Sequence, residues 1–276
     1  MTQDCCRAGG GYLRIGVISG QSAATSIRSS SPLKIMVPRP RGHSVWACLS
    51  SFGGGLVPGD EISVQVDLGE RARCYLSTQA STKVYRNPES RPCSHNLQAR
   101  LARGSFLAVI PDPIQAFLGS CYSQRQEFSL APESGLVLVD WLCSGRAARG
   151  ERWAFRRFQS RNEISLDGSR VLVDSLMLDP EDGPLTDFYR LGRFNCLAVV
   201  LVIGESLHSA GTQLLEEFAQ LPVSQRGSVV SSACSVRQGA LIRIAGEQPQ
   251  VVAAQILRHL AFVTGILGEA PWLRKF

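Results

Sequence analysis

At 276 residues, 44% hydrophobic and 19% charged, the chain has enough apolar content to bury a core as one large or two small domains, which excludes an intrinsically disordered protein. Its net charge of +6, from 29 Lys and Arg against 23 Asp and Glu, is carried almost wholly by arginines spread along the chain. That spread places a protein partner ahead of nucleic acid, which favours a basic stripe interleaved with aromatics.

Residues 1–11 read as a loose end. Leu13, Ile15 and Val17 on alternate positions predict a half-buried strand; after a Ser/Thr/Ala-rich gap, Leu33, Ile35 and Val37, then Val45, Ala47 and Leu49, repeat the pattern. Gly53-Gly54-Gly55-Leu56-Val57-Pro58-Gly59-Asp60-Glu61 feeds the next strand, Ile62, Val64, Val66 and Leu68. The glycine spacing begins like a phosphate loop, but Asp60-Glu61 stands where Lys-Ser/Thr is required, and an acidic pair repels phosphate. Nucleotide binding is excluded there.

Alternation through residues 72–77 runs into the polar stretch Thr78-Gln79-Ala80-Ser81-Thr82-Lys83-Val84-Tyr85-Arg86, stopped by Asn87-Pro88. Such a stretch is either a solvated strand end or a surface that handles a polar partner or ion. Leu97, Ala99 and Leu101 predict a strand, and residues 106–110 a buried one, before Pro111-Asp112-Pro113 holds one acid in a rigid turn. Residues 136–141 are a continuous apolar strand interrupted by Asp140, an acid that needs a partner or a place at the strand's end. Arg146 is the candidate partner for Asp140 or Glu151. The segment 152–158 (Arg-Trp-Ala-Phe-Arg-Arg-Phe) alone interleaves arginine with aromatics, and an exposed strand face with aromatics inward explains it equally. Asp167-Gly168 between alternating segments predicts a two-residue hairpin turn.

Past residue 190 come a core strand at 197–203, helical spacing in Leu214, Leu215, Phe218 and Leu221, strands at 229–236 and 240–245, and a second amphipathic helix marked by Ala253, Ile256, Leu257, Leu260 and Val263. About a dozen short strands and two late helices, with no βαβ rhythm, describe a β-rich single domain over residues 1–276.

Nine cysteines, most inside apolar strands, and no apolar signal region in residues 1–11 point to a reducing cytoplasm. The longest strongly apolar run, residues 197–203, is too short to cross a bilayer. Charge this sparse also points to large partner interfaces and poor solubility alone.

Catalytic signatures are missing. His43, His95, His208 and His259 are isolated, and neither Gly-x-Ser-x-Gly nor Cys-x-x-Cys occurs. Cys93-Ser94-His95 is the one Cys/His doublet, a weak surface metal candidate in a Pro-flanked loop that cannot complete a coordination shell alone. What recurs is isolated carboxylates at turns or strand ends: Asp60, Glu61, Asp112, Asp140, Glu151 and Asp174. Each has an ordinary reading in turn chemistry or ion pairing. Together they permit a set of weak oxygen sites along a polar passage for a divalent ion. From another class, a binding module or hydrolase using Asp112, Asp140 and Glu151 as acid and base fits the same residues.

The ordered motifs Gly53-Gly54-Gly55-Leu56-Val57-Pro58-Gly59-Asp60, Thr78 to Arg86, Pro111-Asp112-Pro113, and Gly145-Arg146 with Gly150-Glu151 resemble those of the urease accessory protein D family, called H in some bacteria. Order and spacing agree from about Leu13 to Asp179, Pro58 is a departure, and the match thins after about residue 190. The resemblance implies a mainly β fold, a β-helix-like stack of many short strands with two α-helices in the C-terminal third. It implies a cytoplasmic, non-enzymatic maturation factor that binds apo-urease, recruits accessory proteins F and G, and becomes dimeric through the F-type partner. It further implies no tightly bound cofactor, with nickel passing through an internal tunnel. By motif position, Asp60, Thr78, Gln79, Ser81, Lys83, Tyr85, Asp112, Asp140 and Glu151 fall to the passage or its walls, with Arg146 as a structural partner.

Overall fold

Strands that bury every second side chain dominate the chain. The computed structural model describes residues 7–39, 42–88, 91–222 and 226–274. Strand β1 (Gly10–Ile18) seals Leu13 and Ile15 inside, so the segment expected to be loose up to residue 11 is already ordered at Gly10. The Ser/Thr/Ala-rich gap is itself a strand, β2 (Gln21–Ser29), antiparallel to β1. It pairs only with β1 and lies at the sheet's edge with most side chains in or near solvent, so no hydrophobic alternation betrays it. Strands β3 (Leu33–Met36), β4 (Val45–Ser51), β5 (Glu61–Leu68) and β6 (Arg73–Thr78) follow the expected alternation.

The polar stretch after β6 turns outward and returns as the short β7 (Thr82–Val84). Strand β8 (Cys93–Leu101) begins at the Cys-Ser-His triplet, so that triplet is sheet and not loop. After β9 (Phe106–Val109) and the short β10 (Ile114–Ala116) comes β11 (Cys121–Leu130), which sequence reading passes over. Its inward row is Tyr122, Gln124, Gln126, Phe128 and Leu130, and the two buried glutamines break the hydrophobic pattern.

Strand β12 (Gly135–Cys143) is apolar throughout because both its faces are covered. Leu136 and Leu138 face the interior, while Val137 and Val139 join a second core on the other side. The hairpin β13 (Arg157–Leu166) and β14 (Ser169–Leu178) turns at Asp167 and Gly168, with φ of 47° and 75°, as the Asp-Gly pair predicts. The arginine–aromatic segment buries Trp153, Phe155 and Phe158. Then follow β15 (Cys196–Ile203), α1 (His208–Ala219), β16 (Val229–Val236), β17 (Gly239–Gly246), α2 (Pro249–His259) and the short α3 (Val263–Leu267). The described residues thus hold seventeen strands and three α-helices, more of each than sequence spacing yields.

From β4 to β13 the chain winds between two sheets, making a β-solenoid of about four turns. The first sheet has the order β14-β13-β11-β8-β5-β1-β2, with β1, β5, β8, β11 and β13 all parallel. The second runs β16-β17-β15-β12-β9-β6-β4-β3, with β4, β6, β9 and β12 parallel and β15, β17 and β16 added antiparallel. Parallel in-register winding stacks like on like, as where Tyr122 lies over Phe158 with ring centroids 5.6 Å apart. The main core fills the space between the sheets. The second core lies on the outer face of the second sheet, where Val252, Ile256, Leu260 and Val263 pack over Trp46, Tyr75, Val139 and Ile242.

Candidate functional site

Beyond β9, aliphatic packing between the sheets gives way to polar side chains. At neighbouring positions on β8, β11 and β13 the register aligns His95, Gln124 and Ser160. One inward step along, Gln126, Asn162 and Asp174 align across β11, β13 and β14. These rows face Asp140, which occupies an inward position of β12 between Leu138 and Leu142.

Asp140 is therefore not paired with Arg146. Its carboxylate accepts hydrogen bonds from Gln124 Nε2 at 3.0 Å, Asn162 Nδ2 at 2.9 Å and the Ser160 hydroxyl. Gln124 and Asn162 are held in turn by Tyr122 Oη, which donates to Gln124 Oε1 at 3.2 Å, and by Gln126 Nε2, which donates to Asn162 Oδ1 at 2.9 Å. Burial pushes the Asp140 carboxyl above the usual range; the three donors pull it back, and the nearby Asp174 pushes it up again. The result is a partly buried carboxylate held by three neutral hydrogen-bond donors, none of them a cation.

The polar stretch supplies the other end. Thr78 Oγ1 accepts the Asp112 backbone N–H at 2.8 Å and donates to the Asp112 carboxylate at 3.3 Å. Ser50 donates to Gln79 Oε1 at 2.8 Å, tying the stretch to β4. The nearby Pro111 carbonyl takes the Trp141 indole N–H at 2.9 Å, fixing the acid-bearing turn against β12.

Three cavities border these groups. The first, about 440 Å³, opens between β14 and the β15–β17–β16 extension and is bordered by Asp140, Ser160, Asp174 and Arg243. The second, about 30 Å³, is bordered by Thr78, His95, Asp112, Gln124, Gln126 and Asp140. The third, about 190 Å³, is bordered by Ser50, Thr78, Gln79, Ser81, Thr82 and His95. Asp140 is shared by the first and second; Thr78, Thr82 and His95 are shared by the second and third. They lie in file between the sheets. At the outer mouth Arg243 of β17 makes an ion pair with the largely buried Asp174 of β14.

Of the residues singled out by sequence, Thr78, Gln79, Ser81, Asp112 and Asp140 border this file. Asp60, Lys83, Tyr85 and Glu151 border none of the three cavities. Asp60 caps its own turn by accepting the Val57 N–H at 2.9 Å. Lys83 is exposed, and Tyr85 packs edge-on against Phe117 at 5.7 Å. Glu151 receives Arg146 Nε at 2.9 Å in a two-pronged pair, and the same guanidinium lies 4.5 Å over the Phe117 ring. Arg146 is thus the structural partner of Glu151, as one of the two expected pairings has it.

The Cys93–His95 doublet is not a surface feature. The Cys93 thiol donates to the Val57 carbonyl at 3.0 Å and is pushed up to about 11 by burial, so it is a protonated thiol and a poor ligand. His95 faces the cavities. Among the described residues no group of three or more His, Cys, Asp or Glu side chains is disposed to hold a metal ion.

Sequence reasoning missed Gln124, Gln126, Ser160, Asn162 and Arg243. A signal existed: Gln124 and Gln126 lie between Tyr122 and Phe128, and Ser160 and Asn162 between Phe158 and Ile164, all on one parity. Polar residues on the apolar parity of neighbouring strands mark a wet interior.

The sequence profile of the UreD urease accessory protein family matches residues 9–275. The chain belongs to that family. The match extends well past residue 190, where motif resemblance alone thins. A urease accessory protein UreD of Anaeromyxobacter sp. (strain Fw109-5) is 41% identical over 97% of this chain and 90% of its own length. One from Sorangium cellulosum (strain So ce56) is 43% identical over 98% and 85%. The urease accessory protein D of Arabidopsis thaliana is 32% identical over 95% and 99%. These relatives are accessory proteins and not ureases. Among the described residues of this UreD-family chain, no helix is long and apolar enough to cross a membrane.

Proposed function

We propose that this urease accessory protein is a scaffold and nickel conduit. It binds apo-urease in the cytoplasm, recruits the F- and G-type accessory proteins, dimerises through the F-type partner, and passes nickel along the space between its sheets without making or breaking a covalent bond. The observation that carries this reading is the file of three cavities with shared walls, marked by Asp174, Asp140 and Asp112.

A cation in transit needs oxygen donors spaced along a path and too few at any one place to hold it. Asp140 meets that need because its three protein partners are neutral donors, so the charge is dispersed and not cancelled by an arginine. Divalent ions of this size keep much of their hydration, and hydroxyl and amide groups such as those of Thr78, Gln124 and Ser160 can replace departing water. For docking, the adjacent Phe188 and Tyr189 are 86% and 91% exposed, which suits an aromatic anchor for a protein partner.

The hydrolase alternative is weaker. Glu151 is engaged by Arg146 outside the cavities, and the space shared by Asp112 and Asp140 has a volume of about 30 Å³, room for about one water. The deciding experiment is urease activation in cells given limiting nickel and all accessory proteins, with and without this chain. Activation and nickel occupancy should collapse without it. Full occupancy in its absence would end the proposal.

A further inference from the structure

Among the described residues bordering the three cavities His95 is the only imidazole or thiol, and it stands on the shared wall of the second and third. Its Nε2 is buried and without a hydrogen-bond partner. A buried polar atom left unpaired is costly and calls for an explanation. Among the described residues the other buried histidine nitrogen without a partner, Nε2 of His259, lies against the Phe218 ring beneath the helices and borders none of the three cavities. His95 instead sits level with Gln124, whose amide bonds Asp140.

We propose that His95 is a selectivity station on the passage: its Nε2 binds a borderline divalent cation, nickel, as the single nitrogen ligand at the narrowing, with oxygen atoms of neighbouring wall residues such as Thr78 and Asp112 completing a transient shell. This rests on the conduit reading and deepens it.

Two properties suit His95 to that task. Its Nε2 is buried on the wall shared by the second and third cavities and has no hydrogen-bond partner in the protein, so a ring nitrogen is left to meet a cation. An imidazole nitrogen also discriminates. Nickel and its transition-metal neighbours accept nitrogen readily, whereas magnesium and calcium select oxygen, so one such ligand among oxygens favours the former without trapping it. No group of three ligating side chains surrounds it among the described residues, which keeps the station weak.

The test uses the full-length chain with its four histidines labelled with ¹⁵N in the ring. Nickel(II) is added below one equivalent at neutral pH, and ring and backbone resonances are followed for paramagnetic broadening. The expected result is that His95 broadens before His43, His208 and His259, and that a tenfold excess of magnesium added with the nickel does not restore its sharpness. His95→Gln should then slow nickel transfer to apo-urease about tenfold at limiting nickel while approaching the wild-type rate at saturating nickel. If the backbone around Asp140 and Ser160 broadens while the His95 ring stays sharp, the passage stands and the station is refuted. Broadening confined to surface histidines, with no interior resonance affected, overturns both.

Discussion

Arg243 on β17 and Asp174 on β14 reach toward each other from opposite sheets and form an ion pair across the mouth of the first cavity. Asp174 is 8% exposed at the side chain and Arg243 55%, so the pair is buried on one side only. Replacing the arginine leaves the carboxylate largely shielded and without its strongest partner. Arg243→Gln should therefore destabilise the chain by about 1 kcal/mol, discounted for the guanidinium's exposure, and lower Tm by roughly 2–4 °C in a thermal scan. No change in Tm would make the bridge ornamental.

Asp140→Leu should lower urease activation at limiting nickel about tenfold or more while the complex with apo-urease and the F- and G-type proteins still assembles. Leucine matches the apolar neighbours Leu138 and Leu142, so the strand's packing survives, while Gln124, Ser160 and Asn162 lose their shared acceptor at a cost of about 1–3 kcal/mol in stability. Pull-down and activation assays on the same preparation separate the two effects. Loss of assembly would recast Asp140 as a structural residue.

Glu151 provides the contrast. It is a carboxylate from the same sequence pattern that borders none of the three cavities, so Glu151→Gln should leave nickel delivery within about twofold of wild type. Its cost appears in the 146–151 turn, where the pair with the half-exposed Arg146 is lost and a small loss of stability follows. An activation defect as deep as that of Asp140→Leu would disprove the assignment of roles by cavity.

His259 packs against Phe218 with ring centroids 4.8 Å apart, and its pKa is lowered, first by burial and then by the charge of Arg258. The folded chain therefore binds that proton less readily than the unfolded chain. Stability should be fully present above the unfolded value of about 6.5 and decline as pH falls below it. Chemical denaturation from pH 7.5 to 5 checks this. His259→Leu should flatten part of the slope, while His95, shifted in the same direction, retains the rest. A variant with the full wild-type slope would exclude His259 as a contributor.

Gly211 of α1 lies so close to β17 that a Cβ there would come within 2.9 Å of the Gly239 Cα. Gly239 is tighter still, since its Cβ would stand 2.0 Å from the Val202 carbonyl oxygen. Neither obstruction is a flexible side-chain tip. Gly239→Ala should cost several kcal/mol by prising β17 from β15, seen as loss of folded yield. An unchanged unfolding midpoint would show that this edge of the sheet yields easily.

Much of the fold was legible because each winding repeats the same alternation. The hairpin at Asp167-Gly168 and the double-sided apolar run of β12 each follow from local chemistry. β2 and β11 were not legible, the first because its side chains meet solvent, the second because Gln124 and Gln126 occupy apolar positions. The site was half legible. Thr78 and Asp112 stand together, but Asp60 and Glu151 share only a sequence habit with Asp140, a place beside Gly or Pro turns. Turn chemistry is local, whereas convergence depends on which windings stack, and that becomes visible only once β8, β11, β13 and β14 are in register.

The double burial of β12 ties the two properties together. Even-numbered residues from Leu136 to Leu142 look inward and odd-numbered ones look toward the helices, so sliding the strand by a single position would exchange Asp140 for Trp141. An indole would then stand among the cavity walls, and a carboxylate would be stranded in hydrocarbon beneath the helical layer. The register that buries both faces of the strand is therefore also the one that keeps the space around Asp140 polar.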